Sequence, residues 1–496
     1  MNSKYKQYFK TLQKAADIDS SIAVLSWDQE TQLPAKGAKH RAQQIATLSG
    51  LAHEIKVSPQ LGDLLQELSE GNNLSPKEAK NIQLSLEDFK KRQKFSTDFV
   101  MKMSAATSNA FQAWAKAREE NDYAIFRPAL ERMIDLKREQ CELIGYEDHP
   151  YDALLDRYEP KEKTKDLNVL FADVRRQLVD FVKEISEKPQ VEDKWMYNHY
   201  DKDKQWKYGI DILKQMGYDF EAGRQDVSHH PFTISFSPLD VRVTTRITEN
   251  NFHEMLWSCI HEGGHALYEQ GLSSGDYGLP TSETISLGIH ESQSRLWENN
   301  VGRGLPFWKA NYSALQQTFP ENLENVSLQD FYKSMNLVKP SLIRTNADEL
   351  TYHFHILVRF EIEKALIEGS IEVKNLDEIW VEKYKEYLGL EVPSDRKGIL
   401  QDIHWSHGSL GYFPTYSLGS FYAAQFYAQA NKDVPNLEDE IAAGNMMPML
   451  EWLRTNVHQH GRLYTAEELC VNITGEKLNF KHFMDYAKVK YGGIYG

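Results

Sequence analysis

The run His261-Glu262-Gly263-Gly264-His265 constrains this chain more than any other stretch, because H-E-x-x-H carries its chemistry only on an α-helix. Residues four apart share a helix face, so both imidazoles project together with the glutamate beside them. Two neutral imidazoles suit Zn²⁺, and the carboxylate points at the water such an ion would hold. The motif therefore implies metal-assisted hydrolysis. Its flanks supply the helix. Asn251 with Glu254 three residues on has capping-box spacing, Phe252, Met255, Leu256, Cys259 and Ile260 recur at helical period, and Gly271 is a C-terminal stop. Gly263 and Gly264 oppose the helix by about 1 kcal/mol each relative to Ala. They read as room for a substrate or for a close-packed neighbour.

A site of this kind needs a third protein ligand and keeps one position for water. Glu291, in His290-Glu291-Ser292-Gln293, lies 26 residues past His265, enough for the chain to turn and return on another helix. That spacing resembles helical zinc peptidases whose third ligand is a glutamate. Glu283, Glu298 and His290 are rivals by ligand chemistry. Glu298, seven residues after Glu291, also fits as a hydrogen-bond acceptor for a ligand imidazole.

Elsewhere the pattern is long amphipathic helices, with one exception. Residues 232–247, FTISFSPLDVRVTTRI, alternate with a period of two and read as two strands around Ser237-Pro238. In the second strand Asp240, Arg242 and Thr244 share one face and Val241, Val243 and Thr245 the other. A small sheet leading into the metal helix offers an edge to an extended peptide. The expected fold is mainly α, a large two-lobed helical body with this β-sheet next to the H-E-x-x-H helix. The 496 residues allow about three domains. No Pro/Ser/Gly-rich linker divides them, and the most polar stretch, 186–204, reads as a loop, so a single domain over 1–496 is expected.

Charge and cysteine content narrow the function class. A formal net charge of −15 argues against nucleic-acid binding, which needs a basic face, and the run Lys90-Lys91-Arg92 reads as a solvated helix face. Cys141, Cys259 and Cys470 are odd in number and form no C-x-x-C pair, so no disulfide framework is expected, and Cys259 reads as packing. No signal-peptide pattern and no membrane-span pattern is seen, so a cytoplasmic location and no membrane partner are expected.

Further motifs stand in order along the chain: Asp240-x-Arg242-x-Thr244, the H-E-x-x-H, the His-Glu-Ser-Gln run, Ile343-Arg344-x-x-Ala347-Asp348 and Gly398-x-x-Gln401-Asp402-x-His404-Trp405. Together they resemble the five motifs of the carboxypeptidase Taq family of metallocarboxypeptidases. Trp27-Asp28-Gln29-Glu30-Thr31 with Pro34, Gly37 and Arg41, and Gly411-Tyr412-Phe413-Pro414-Thr415-Tyr416, resemble that family's opening and late aromatic segments. The resemblance implies a helical zinc peptidase with a deep active-site groove, in which helices up to about residue 150 form a lid lobe. It implies a homodimer, and release of amino acids one at a time, with broad preference, from peptides with a free C-terminus.

The expected mechanism assigns His261, His265 and Glu291 to one Zn²⁺ per chain, with Co²⁺ or Mn²⁺ as substitutes, and Glu262 as the base for metal-bound water. Oxyanion donors are sought among Tyr416, Tyr412, His404 and His230, and resemblance to related helical zinc peptidases favours Tyr416 with His404 or His230. Cutting only at the C-terminus calls for a fixed cation on the terminal carboxylate. Arg344 and Arg242 are the candidates. Gln401 is a neutral helper, and Asp240 a partner for Arg242. The bland alternative for Arg344 is an i,i+4 pair with Asp348, worth about 0.3 to 0.5 kcal/mol. Two other functions compete, an oligopeptidase cutting short peptides internally and a catalytically silent peptide-binding scaffold.

Overall fold

The computed structural model describes residues 3–71, 73–228 and 230–496. It is mainly helical, with one three-stranded sheet among the described residues. The chain gathers into two compact units. The first comprises Met1–Gln93, Glu192–Met335 and Tyr422–Leu478, and the second Lys94–Val191, Asn336–Phe421 and Asn479–Gly496. Residues 1–93 and 94–150 thus belong to different units. The polar stretch after the Thr164–Ser186 helix is a loop, as expected, and also a place where the chain passes from one unit to the other.

In the first unit the Ser3–Thr31 helix packs Tyr5 and Tyr8 into a core with Leu61, Leu64, Leu65, Leu68, Ile82 and Phe89. The sheet has order β1-β3-β2, with β1 (Gly223–Val227) parallel and β2 (Thr233–Ser237) antiparallel to the central β3 (Asp240–Thr245). β2 and β3 are the two expected strands. β1, GRQDV, carries no alternation of its own, and its sequence predicts no strand. Val241, Val243 and Thr245 are buried, as the period of two requires of one face.

The Phe252–Gln270 helix packs on β2 and β3 and carries the H-E-x-x-H. Asn251 caps it by accepting from His253 N, but Glu254 accepts from Thr248 instead of reaching back, so the capping box is half formed. Gly271 does follow its last turn, with φ −86°, so no left-handed residue ends the helix. The position is glycine because a Cβ would lie 2.4 Å from His458 Nδ1. Cys259 is buried, where Gln225 donates to its sulfur, and all three cysteines are free.

The second unit is built on the Tyr352–Glu368 helix, whose residues are buried almost all round, including Arg359 and Glu363. Against it lies the irregular stretch 398–413, pinned where Trp114 Nε1 donates to Leu400 O and where Trp405 Nε1 and Gly411 N donate to Glu363. No helix among the described residues is long and apolar enough to cross a membrane.

Candidate metal centre and active site

One turn of the Phe252–Gln270 helix brings His261 and His265 side by side, with ring centroids 4.9 Å apart. The Leu287–Arg295 helix, capped by Ser286, brings Glu291 against them. Glu291 Oε2 lies 3.7 Å from His261 Nε2 and 3.4 Å from His265 Nε2, and one ligand atom from each of the three falls within 4.8 Å of the others. Gly264 makes this approach possible, since a Cβ there would sit 2.7 Å from Gln293 O and Ser294 Cα of the facing helix. Gly263 faces Leu213 and Met216. Both glycines therefore answer to close-packed neighbours.

The donors fit a divalent ion by the lone pairs they leave free. His261 Nδ1 lies 2.8 Å from Glu298 Oε2, so it carries the proton and leaves the Nε2 lone pair toward Glu291. His265 Nδ1 lies 2.6 Å from His290 Nδ1, while His290 Nε2 lies 2.9 Å from Glu269 Oε1. An ionised Glu269 can only accept, which puts the His290 proton on Nε2, makes its Nδ1 the acceptor for His265, and again frees Nε2 of the ligand. His290, a rival ligand by type, thus stands behind His265, and Glu283 pairs with Arg462. Burial would raise the Glu291 and Glu298 carboxyls, but Arg295, 2.7 Å from Glu291 Oε1 and 3.2 Å from Glu298 Oε2, holds both well below the ordinary carboxylate range together with the histidines. Burial, with His290 adding to it, pushes His265 down to about 3, which keeps it neutral. Loss of such an outer partner typically weakens metal binding 10- to 100-fold. Glu298→Gln is expected to do so, by about that factor, in competition with a chelator, with unchanged helix content by circular dichroism.

Glu262 is buried beside this cluster, with the Thr233 hydroxyl 2.7 Å from its Oε2 and 2.9 Å from its carbonyl oxygen. Burial pushes its carboxyl up, against the pull of His261 and Thr233. No sequence pattern points to Thr233, whose place follows from strand register. Arg295 was findable by its i,i+4 spacing to Glu291.

Asp240 and Arg242 make a two-pronged ion pair, Nε to Oδ1 and Nη2 to Oδ2 both at 2.9 Å, with the guanidinium over Trp27 and Phe236. His230 is exposed, and the contact made there is through its carbonyl oxygen, which accepts from Ser228. His229 lies outside the described residues.

The second unit brings together Arg344, Gln401, His404, Tyr412 and Tyr416. His404 Nε2 is 3.3 Å from the Tyr416 hydroxyl, the Tyr412 and Tyr416 rings are 5.1 Å apart, and the Arg344 guanidinium lies 4.9 Å from the Tyr416 ring. Arg344 does not pair with Asp348. It donates Nε and Nη2 to Asp402 and Nη1 to Tyr352, while Asp348 accepts from Lys339 N, Leu350 N and Thr351 N. Arg344 stands in a 3₁₀ turn, Arg344–Asn346, that ends before Asp348, so no α-helical i,i+4 geometry joins the two. Gln401 accepts from Arg344 N and donates to Leu342 O and Gly398 O, a brace between two loops. Asp402 belongs to a recognised motif, but neither its spacing nor that of Arg359 and Glu363 marks them as partners.

A model of the Carboxypeptidase Taq (M32) metallopeptidase family matches residues 5–491. Thermostable carboxypeptidase 1 of Thermus thermophilus is 38% identical over 508 residues, 99% of each chain. The solved structure of CHT is 58% identical with a TM-score of 0.97 over 99% of each chain, and the M32 carboxypeptidase from Deinococcus radiodurans R1 is 37% identical with a TM-score of 0.98 over the whole of both. With the metal-ligand geometry in place and the match running nearly from end to end, the chain belongs to the carboxypeptidase Taq (M32) family of metallopeptidases.

Proposed function

We propose that this metallocarboxypeptidase removes single amino acids with broad preference from the free C-termini of peptides, using one Zn²⁺ per chain. The convergence of His261, His265 and Glu291 beside a buried Glu262 carries the reading. His261 Nε2, His265 Nε2 and Glu291 Oε2 would hold the ion, a nitrogen and oxygen set that suits Zn²⁺ and accepts Co²⁺ or Mn²⁺. When bound, a divalent ion supplies Lewis acidity for the scissile carbonyl and the attacking water. Glu262 takes the proton of that water and returns it to the leaving amine. Thr233 fixes the carboxylate's direction through its hydroxyl. Tyr416, with His404 against its hydroxyl, is the preferred oxyanion donor, and Tyr412 supports its ring.

For the terminal carboxylate we favour Arg344. Asp240 occupies Arg242 through a two-pronged pair, whereas Arg344 shares its carboxylate partner with another cation. Three buried, unpaired thiols suit a reducing compartment such as the cytoplasm, the family resemblance supports a homodimer, and the net charge of −15 speaks against a nucleic-acid partner.

Matched peptides with a free and an amidated C-terminus test the reading. Sequential release of amino acids from the free acid alone, with about one metal ion per chain by elemental analysis, is the expected result. Internal cleavage of both peptides would make the protein an oligopeptidase, and no cleavage with metal bound would make it a silent scaffold.

A further inference from the structure

Asp402 is shared between two arginines. Its Oδ1 accepts from Arg344 Nε and Nη2 at 3.1 and 3.0 Å, and its Oδ2 accepts from Arg359 Nε at 2.7 Å, in an ion pair whose nearest approach is 2.5 Å, from Arg359 Nη2. Burial alone would raise this carboxyl, but the two guanidiniums hold it well below the ordinary range, so it is ionised. One negative charge then faces two positive ones.

The surrounding groups do not make up the difference. His404 and His355 are kept neutral, first by burial and further by both arginines, against the pull of Asp402. Tyr352 and Tyr384 contribute neutral hydroxyls, to Arg344 Nη1 and Arg359 Nη1. Glu363, one helical turn beyond Arg359, accepts from the Tyr151 hydroxyl, Trp405 Nε1 and Gly411 N, and burial pushes its carboxyl up to about 7 against the pull of these bonds and of Arg359, so it offsets that arginine only in part. Among the described residues no ion pair joins Glu363 to either arginine. A buried, uncompensated positive charge is costly unless an anion completes it. Arg359 is fully buried, with 0% exposure, and its other bonds go to His355 O and Tyr384, so it cannot itself meet a ligand.

We propose that Arg359 is a positioning residue that sets the charge of the carboxylate receptor: by occupying one oxygen of Asp402 it keeps that residue from neutralising Arg344, which stays net positive for the substrate's terminal carboxylate. The proposal rests on the reading of Arg344 given above. With Asp402 alone, Arg344 would be a completed pair that an incoming carboxylate must break. With Arg359 present, the incoming carboxylate completes a cluster of two cations and two anions.

Kinetics on free-acid peptides test this. Arg359→Gln is expected to raise KM by about tenfold or more, the range of a hydrogen bond to a charged group, with kcat changed far less. Arg359→Lys, which keeps the charge, is expected to stay near the wild-type KM. The double variant R359Q/D402N removes the negative charge that would neutralise Arg344 while the amide oxygen at position 402 can still accept from Arg344, and is expected to bring KM back toward wild type. A purely structural Arg359 would instead make R359K resemble R359Q and the double variant worse than either single one, and either result overturns the proposal. Should R359Q not fold, R359K and the double variant, checked by thermal unfolding, decide alone. Arg344→Gln separates the two levels. If it raises KM and R359Q does not, the charge-setting role fails and the Arg344 reading stands; if R344Q leaves KM unchanged, the Arg344 reading fails and the proposal with it.

Discussion

Replacing Glu262 by Gln is expected to lower kcat by on the order of 10²- to 10⁴-fold, the usual contribution of a positioned general base, while the bound metal stays at its wild-type stoichiometry. The substitution is nearly isosteric. Gln can still accept from Thr233 through its amide oxygen, so the contact at 2.7 Å survives and the local packing is kept. What is lost is the capacity to take a proton. Burial raises the wild-type carboxyl toward the range in which a base both exists ionised at neutral pH and holds a proton well enough to pass it on. His261, His265 and Glu291 are untouched, and elemental analysis of the same preparation separates loss of the base from loss of the ion. Hydrolysis at the wild-type rate with metal bound would refute the assignment of Glu262.

The three candidate metal ligands were legible in the sequence because each depends on local geometry. His261 and His265 are fixed by one helical turn, and Glu291 by a short return to the same place. Glu298 is anticipated as an acceptor by its seven-residue spacing to Glu291, and its oxygen does lie against His261 Nδ1. Glu298 does not reach it on a continuous α-helix, since the α-helix gives way at Leu296–Gly302 to a π-helical stretch. The features that escaped depend on partners far along the chain. β1 has a polar sequence and becomes a strand only by pairing with β3. Arg344 finds its carboxylate 58 residues later, and Arg359, which lies in no motif, shares it. Two lobes were expected, but with residues up to about 150 in one of them, and the boundaries of the two units were not legible. The chain passes between them at several points, and of these only the one at Val191/Glu192 falls in a stretch that composition singles out, which read as a loop inside one domain.

The glycines inside the H-E-x-x-H carry the largest expected effect on stability, and they should differ sharply from one another. Propensity alone favours Ala over Gly in a helix by about 1 kcal/mol, so both G263A and G264A would stabilise an isolated helix. At Gly263 the new methyl would meet Leu213 Cδ2 at 2.6 Å and Met216 Cε at 3.1 Å, the free ends of flexible side chains that can turn aside. At Gly264 it would meet Gln293 O and Ser294 Cα at 2.7 Å, which are backbone and move only with the whole Leu287–Arg295 helix. Overpacking of this kind typically costs about 1–3 kcal/mol, occasionally more, and here it acts on the segment that carries Glu291. Gly264→Ala is therefore expected to lose up to about 2 kcal/mol net in denaturant unfolding of the metal-free protein and to weaken metal binding as well, whereas Gly263→Ala should be neutral or slightly stabilising, within about 1 kcal/mol of wild type, with its metal affinity intact. Equal behaviour of the two variants would show that the facing helix yields at no cost, and that Gly264 does not set the distance between the imidazoles and Glu291.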